Sequence, residues 1–249
     1  MEFPFKRLIV IGRGSVAREC LKIAENFFQV KGELLFLFGK SVEKNTLEQI
    51  FEKCHNALII SANNFYIFKE DCVKNNTIIN YHNALLPRHR GSNAHIWAIW
   101  YDELKTGITW HKVDCGVDTG AIIVQKEINI GSATAMELLQ KQHFLAVESL
   151  EECLIKLLKN EQTQQNNEKT EYHFASKLPN DGFLDLSWDD AKIIRFMRAI
   201  DCGFARAKVK LSDNILRVIK FSFNEVKIDF ILENHITISI LRKEKSERN

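Results

Sequence analysis

An α/β fold, a mostly parallel sheet covered by helices on both faces, is predicted by three features of this 249-residue sequence. Short apolar runs alternate with helix-like stretches over the N-terminal two thirds of the chain. The runs are continuously apolar rather than alternating, as strands buried on both faces are. The first run ends at a glycine that opens a helix.

Taken in order, residues 8–11 (Leu-Ile-Val-Ile) are β-branched and apolar and form the first expected strand. Residues 16–30 follow as a helix, with Val16, Cys20, Ile23, Ala24, Phe27 and Phe28 on one face. Residues 34–38 read as the second strand, 47–54 as a helix, 57–60 as the third strand and 77–80 as the fourth. A helix is expected over 92–101, then strands over 107–113 and 121–130, the latter after the turn Val117-Asp-Thr-Gly120. Met136, Leu139, His143, Val147, Leu150, Leu154 and Leu158 mark a long amphipathic helix over 133–158. The polar stretch 159–170 is the best boundary, so a domain over 1–165 and a small α+β region over 171–249 are expected. That region holds a helix at 189–200, then short β-like runs over 205–241, and residues 243–249 should fray.

Composition narrows the function. With 45% hydrophobic and 27% charged residues, the chain is neither disordered nor fibrous. A net charge of +2 is too small to argue for nucleic acid or an anionic membrane as partner. No apolar run approaches 18 residues, and the first residues lack the order of a signal peptide. The six cysteines show no CxxC spacing and read as reduced, packed thiols of a cytoplasmic protein. His82, His89, His95 and His111 match no zinc pattern, so no metal is expected.

Three stretches carry chemistry. Gly12-Arg-Gly14-Ser-Val-Ala17 has the GxGxxA form of a phosphate-binding βα turn. A dinucleotide site also wants an acid after the second strand, and Leu37-Phe38-Gly39-Lys40 offers none. A tight turn lending its helix end to an anion fits better. In the second stretch, Asn80 and His82 are two apart at a strand's end, so both point the same way. An amide donor beside an imidazole can polarise a carbonyl and move a proton; a hydrogen-bonded turn is the alternative. In the third, Asp114-Cys-Gly116-Val-Asp118-Thr-Gly120, Asp118 either orients a histidine or caps an Asx turn.

The second and third stretches together resemble the folate-dependent formyltransferases. The resemblance rests on Asn80-Tyr-His82, Leu85-Leu-Pro87, Arg90-Gly91 and Trp97-Ala-Ile99, then on Gly107-Ile-Thr109, His111 and Asp114-Cys-Gly116-Val-Asp118-Thr-Gly120. It covers residues 7–160 well. Fainter likeness extends through Trp188, Ala191, Ile194, Arg195, Arg198 and Ala199, and Lys177-Leu-Pro-Asn-Asp-Gly182 is most similar to enzymes that formylate nucleotide-linked amino sugars. Asn83-Ala84 and Asn93-Ala94 depart from the family pattern and bear on the acceptor.

The resemblance implies a Rossmann-like domain, 10-formyltetrahydrofolate as formyl donor, and an attacking amine on a nucleotide-linked sugar. Methionyl-tRNA, glycinamide ribonucleotide and an inactive nucleotide-binding copy are the alternatives. Asn80 is expected to hold the developing oxyanion, His82 to move the amine proton, and Asp118 to orient His82. Ala62, Asn63, Phe65 and Ile67, with Val113, Asp114 and Gly116, are expected at the folate. Gly12, Arg88, Arg90 and Asn93 are expected at the nucleotide sugar. No metal, nucleic acid or membrane is expected, and a homodimer is.

Overall fold

The computed structural model describes residues 3–36, 41–166 and 170–242. The end of the second expected strand with the residues after it (37–40), part of the polar 159–170 segment and the 243–249 tail therefore lie outside the described residues. Two compact units make up the chain. Residues 1–92, 106–129 and 140–173 form one; residues 93–105, 130–139 and 174–249 form the other. The division is thus interleaved, unlike a single break between 165 and 171.

The first unit begins with β1 (Arg7–Gly12), α1 (Gly14–Phe28), β2 (Glu33–Phe36), α2 (Ser41–Glu52), β3 (Ala57–Ala62), α3 (Glu70–Asn75), β4 (Thr77–His82) and β5 (Arg90–Gly91). A helix of the second unit, α4 (Ala94–Trp100), intervenes. The chain then continues through β6 (Lys105–Lys112), β7 (Ile122–Asn129), α5 (Ala135–Leu158) and β8 (Tyr172–His173). The main sheet runs β2-β1-β3-β4-β6-β7; its first four strands are parallel and β6 is antiparallel to β4.

Helices on both faces follow from strand alternation. Leu8 and Val10 of β1 and Leu58 and Ile60 of β3 pack with Cys20 and Ala24 of α1 and Leu150 and Leu154 of α5. Ile9, Ile11 and Ile59 face the other way, onto Leu47 and Phe51 of α2 and Cys72 of α3. Every residue of β3 is buried, as its unbroken apolar run predicts. Gly12 is required by packing: a Cβ there would lie 1.7 Å from the Ala62 carbonyl oxygen. α3 and the two-residue pair β5–β8 are too short to leave a periodic signal in the sequence.

The second unit pairs α6 (Asp190–Ile200) with an antiparallel sheet of β9 (Lys208–Leu211), β10 (Asn214–Phe223), β11 (Lys227–Leu232) and β12 (Thr237–Leu241), ordered β12-β11-β10-β9. Asp189 caps α6 by accepting from the Lys192 N–H at 2.8 Å. Ile193, Phe196 and Ile200 pack on Val218, Ile228 and Phe230. Trp100 of α4 enters the same core against Trp188 and Phe196, which is why its segment belongs to this unit. Among the described residues no helix is long and apolar enough to cross a membrane.

Candidate active site

Strand register assembles the site. Ser61 of β3 is the partner of Asn80 of β4, and Asn80 is the partner of His111 of β6. Residues paired across adjacent strands project from the same face, so one polar row crosses three strands at the carboxyl end of β4. Ser61 Oγ donates to Asn80 Oδ1 at 2.7 Å and accepts from Asn64 Nδ2 at 3.0 Å. The amide of Asn80 is thereby oriented with its nitrogen toward His111 Nε2, at 3.1 Å, and Asp118 Oδ1, at 3.5 Å. His111 Nδ1 lies 2.7 Å from the Lys112 carbonyl, so it carries the proton and Nε2 is left to accept.

Asp118 closes the row from the loop after β6. It adopts φ +54°, in the left-handed region that Asp tolerates better than most residues. Its Oδ2 accepts from the Gly91 N–H at 2.9 Å and lies 3.4 Å from His82 Nδ1. Its backbone carbonyl accepts from Gln165 Nε2 at 3.1 Å. His82 is buried, and its Nε2 donates to the His89 carbonyl at 2.8 Å.

Electrostatics follow from this packing. Burial works to raise the Asp118 carboxyl, but His82, His111 and the Gly91 N–H outweigh it and hold it far below the usual carboxylate range. Burial lowers the His82 pKa; Asp118 and the His89 carbonyl oppose that without reversing it. At neutral pH the pair is therefore a carboxylate beside a neutral imidazole. With Nε2 committed to the His89 carbonyl, the basic nitrogen is Nδ1, the one beside Asp118.

Asn80, His82 and Asp118 thus converge, as the sequence predicts for an Asn-x-His pair and a glycine-flanked aspartate. The other expected positions fall as follows. Ala62 is buried and paired with Tyr81, Asn63 takes φ +58°, and Phe65 and Ile67 stand exposed, with the Arg13 guanidinium 5.0 Å from the Phe65 ring centre. Asn64, not Asn63, is the residue of that loop bonded to the polar row. The Val113 N–H donates to the Ile78 carbonyl at 2.9 Å. Asp114 forms a self-contained turn, accepting from the Gly116 N–H and the Thr119 hydroxyl. Arg88 is exposed; Arg90 is half-buried, with Nε buried and without a hydrogen-bond partner. Asn93 occupies the N-cap position of α4 in the second unit, at φ +62° and without a side-chain capping bond.

A model of the formyl transferase family matches residues 13–154, more than half of the chain. The chain belongs to the formyl transferase family. Among curated members, GDP-perosamine N-formyltransferase of Brucella melitensis is 36% identical over 123 residues, 49% of this chain and 47% of that protein. Methionyl-tRNA formyltransferase of Geobacter metallireducens is 32% identical over 146 residues, 58% of this chain and 47% of that protein. The chain therefore spans about half the length of the curated formyltransferases it matches. Among solved structures, an N-formyltransferase from Helicobacter canadensis, in complex with folinic acid and dTDP-3-aminofucose, superposes with a TM-score of 0.70. That match is 17% identical and covers 95% of this chain and 99% of the other, a likeness of fold.

Ser61 and Gln165 were not singled out from the sequence; Asn64 lay inside the 62–67 stretch expected at the folate, and His111 just before the third stretch and inside the resemblance, without a role of its own. His111 had a legible signal, since pairing the Asn80 strand with the next one places the two opposite. Gln165 had none, because it lies in a polar stretch that reads as linker. A group of three potential metal ligands, His89, Glu171 and His173, also forms where histidine spacing predicts none. His89 lies more than 80 residues before the other two, so spacing rules for local motifs cannot find it.

Proposed function

We propose that the chain is an N-formyltransferase that moves a formyl group from 10-formyltetrahydrofolate to the amine of a nucleotide-linked amino sugar. The observation that carries this is the convergence of an oriented amide, Asn80, with a carboxylate–imidazole pair, Asp118 and His82, at the end of β4. That arrangement suits acyl transfer to an amine, which needs a donor for the oxyanion and a base for the amine proton. The names of its relatives support the acceptor class: one acts on GDP-perosamine, and a structural neighbour holds dTDP-3-aminofucose.

The residues present suit a folate. Past Ala62, Phe65 and Ile67 leave apolar surface uncovered, 61% and 70% exposed, beside the Arg13 cation. That is a platform for a flat heteroaromatic ring, and the Val113–Gly116 turn is assigned to the same ligand. When bound, the folate supplies an activated formyl carbonyl. Asn80 Nδ2 then donates to the oxygen that gains charge, using the hydrogen now stretched 3.5 Å toward Asp118. His82 takes the amine proton at Nδ1, and the Asp118 carboxylate 3.4 Å away stabilises the imidazolium formed. Arg88 and Arg90 hold the diphosphate, helped by Gly12; the buried Arg90 Nε without a partner supports that role.

The test is formylation of a panel of GDP- and dTDP-linked amino sugars with 10-formyltetrahydrofolate, read by mass spectrometry beside initiator methionyl-tRNA. Turnover of a sugar and none of the tRNA is expected; formylation of methionine alone overturns the acceptor. A cytoplasmic homodimer completes the reading. Exposed Ile215, Ile219, Phe223 and Leu241 on the C-terminal sheet, with Ile236 in the turn before β12, support association. A monomer mass in light scattering across micromolar concentrations would remove the dimer.

A further inference from the structure

We propose that His89, Glu171 and His173 form a binding site for one late first-row divalent metal ion, Zn²⁺ foremost, separate from the residues assigned to formyl transfer. His89 Nδ1 and His173 Nε2 are 2.9 Å apart, and Glu171 Oε2 lies 4.0 Å from the first and 3.7 Å from the second. Two imidazoles and a carboxylate are a common donor set for zinc, and they select it over calcium or magnesium, which take oxygen ligands. Tetrahedral ligands at zinc distances stand about 3.3 Å apart, inside the range of these three separations.

The backbone beneath the three side chains is built to hold them. β5 and β8 run parallel, with Arg90 paired to Tyr172 and Gly91 to His173. The Arg90 N–H donates to the Glu171 carbonyl at 3.1 Å, and the Ser92 N–H donates to the His173 carbonyl at 2.8 Å. Glu171 and His173, two apart on an extended segment, project to the same side. Gly91 permits this contact, because a Cβ there would meet the His173 carbonyl oxygen at 2.4 Å. The His89 backbone is pinned as well, its carbonyl accepting from His82 Nε2. Both histidines are buried while Glu171 is exposed, so an ion reaches the imidazoles from the carboxylate side.

In the metal-free protein a hydrogen lies between the two ring nitrogens, because two lone pairs cannot face each other at 2.9 Å. The metal takes its place. The ring that carried the hydrogen keeps it on its other nitrogen, and the pair opens by a few tenths of an ångström. The ion then clasps β5 to β8, and the three ligands leave a fourth position to water. This inference does not depend on the formyl-transfer reading: its three ligands are none of Asn80, His82 or Asp118, and His82 enters only through its bond to the His89 carbonyl.

The test uses the full-length protein, stripped with a chelator and dialysed, then titrated with ZnCl₂ by calorimetry and with CoCl₂ by visible absorption. One site per chain is expected, with a rise in melting temperature and a cobalt spectrum free of thiolate charge transfer. Glu171→Gln, at an exposed side chain, should fold normally and weaken zinc by about 10-fold or more, since even outer-shell partners of a metal cost 10–100-fold. His173→Ala should abolish the site, and its circular dichroism checks that it folds. Cys115 is the exposed cysteine among the described residues and is the competing ligand. No stoichiometric zinc in the wild type, affinity unchanged in Glu171→Gln and folded His173→Ala, or binding lost in Cys115→Ser would each overturn the site.

Discussion

Asn80 places both hydrogens of one nitrogen on neighbours, but at unequal lengths, 3.1 Å to His111 and 3.5 Å to Asp118. The longer contact is the one a substrate oxygen can claim. Asn80→Ala is therefore expected to lower kcat by about 10²–10³-fold, the usual cost of one oxyanion donor. Unchanged circular dichroism would assign the loss to chemistry, and near-wild-type turnover would remove Asn80 from the mechanism. His82 has its pKa lowered by burial, so its basic form persists below the ordinary histidine value of about 6.5. Activity should fall on the acid side of that value. Asp118→Asn removes the charge that opposes burial, so the acid limb should move to still lower pH while kcat drops. A pH–rate profile matching wild type would break the Asp118–His82 pairing. The stability linked to Asp118 runs the same way: its carboxyl is depressed on folding, so its contribution is present above the unfolded value and lost as pH falls toward the folded one.

At the scale of elements, three strand ends align the polar row, and the closeness of β1 to β3 supports them. Gly12→Ala would press a methyl into the Ala62 carbonyl and strain a φ of +154°. Destabilisation of about 1–3 kcal/mol or more is expected, measured by urea unfolding of both proteins. A variant as stable as wild type would mean that β1 and β3 can separate at that end. Ser61→Ala probes the row more gently. It removes the hydroxyl that both accepts from Asn64 and donates to Asn80, leaving the Asn80 amide less fixed. The fold should survive, and kcat should fall by less than in Asn80→Ala with KM little changed. An equal rise in KM would instead place Ser61 in ground-state binding.

At the scale of the whole molecule, charge argues for a small acceptor. Residues 171–249 carry 14 basic against 12 acidic residues, and the first 170 balance at 20 each. A protein that grips tRNA neutralises several phosphates and loses affinity steeply with salt. Binding to initiator methionyl-tRNA at physiological salt should therefore be weaker than micromolar. Submicromolar affinity there would favour the tRNA reading.

What the sequence determined by itself is whatever depends on near neighbours in the chain. Strand runs and helix faces were legible because their periods of 2 and 3.6 are local. Asn80 with His82, and Asp118 between its glycines, were legible because each motif is short and chemically unusual. Boundaries shifted by a few residues; the helix expected over 92–101, for example, spans Ala94–Trp100. Only tertiary structure decided the rest. Register across β3, β4 and β6 made Ser61 and His111 partners of Asn80. Chain return brought Gln165 to Asp118 and His173 to His89 over gaps of 47 and 84 residues. Burial then lowered the His82 pKa, while His82, His111 and the Gly91 N–H held the Asp118 carboxyl ionised against burial. Such pairings are invisible to spacing because their positions follow from how a whole sheet closes, not from the residues beside them.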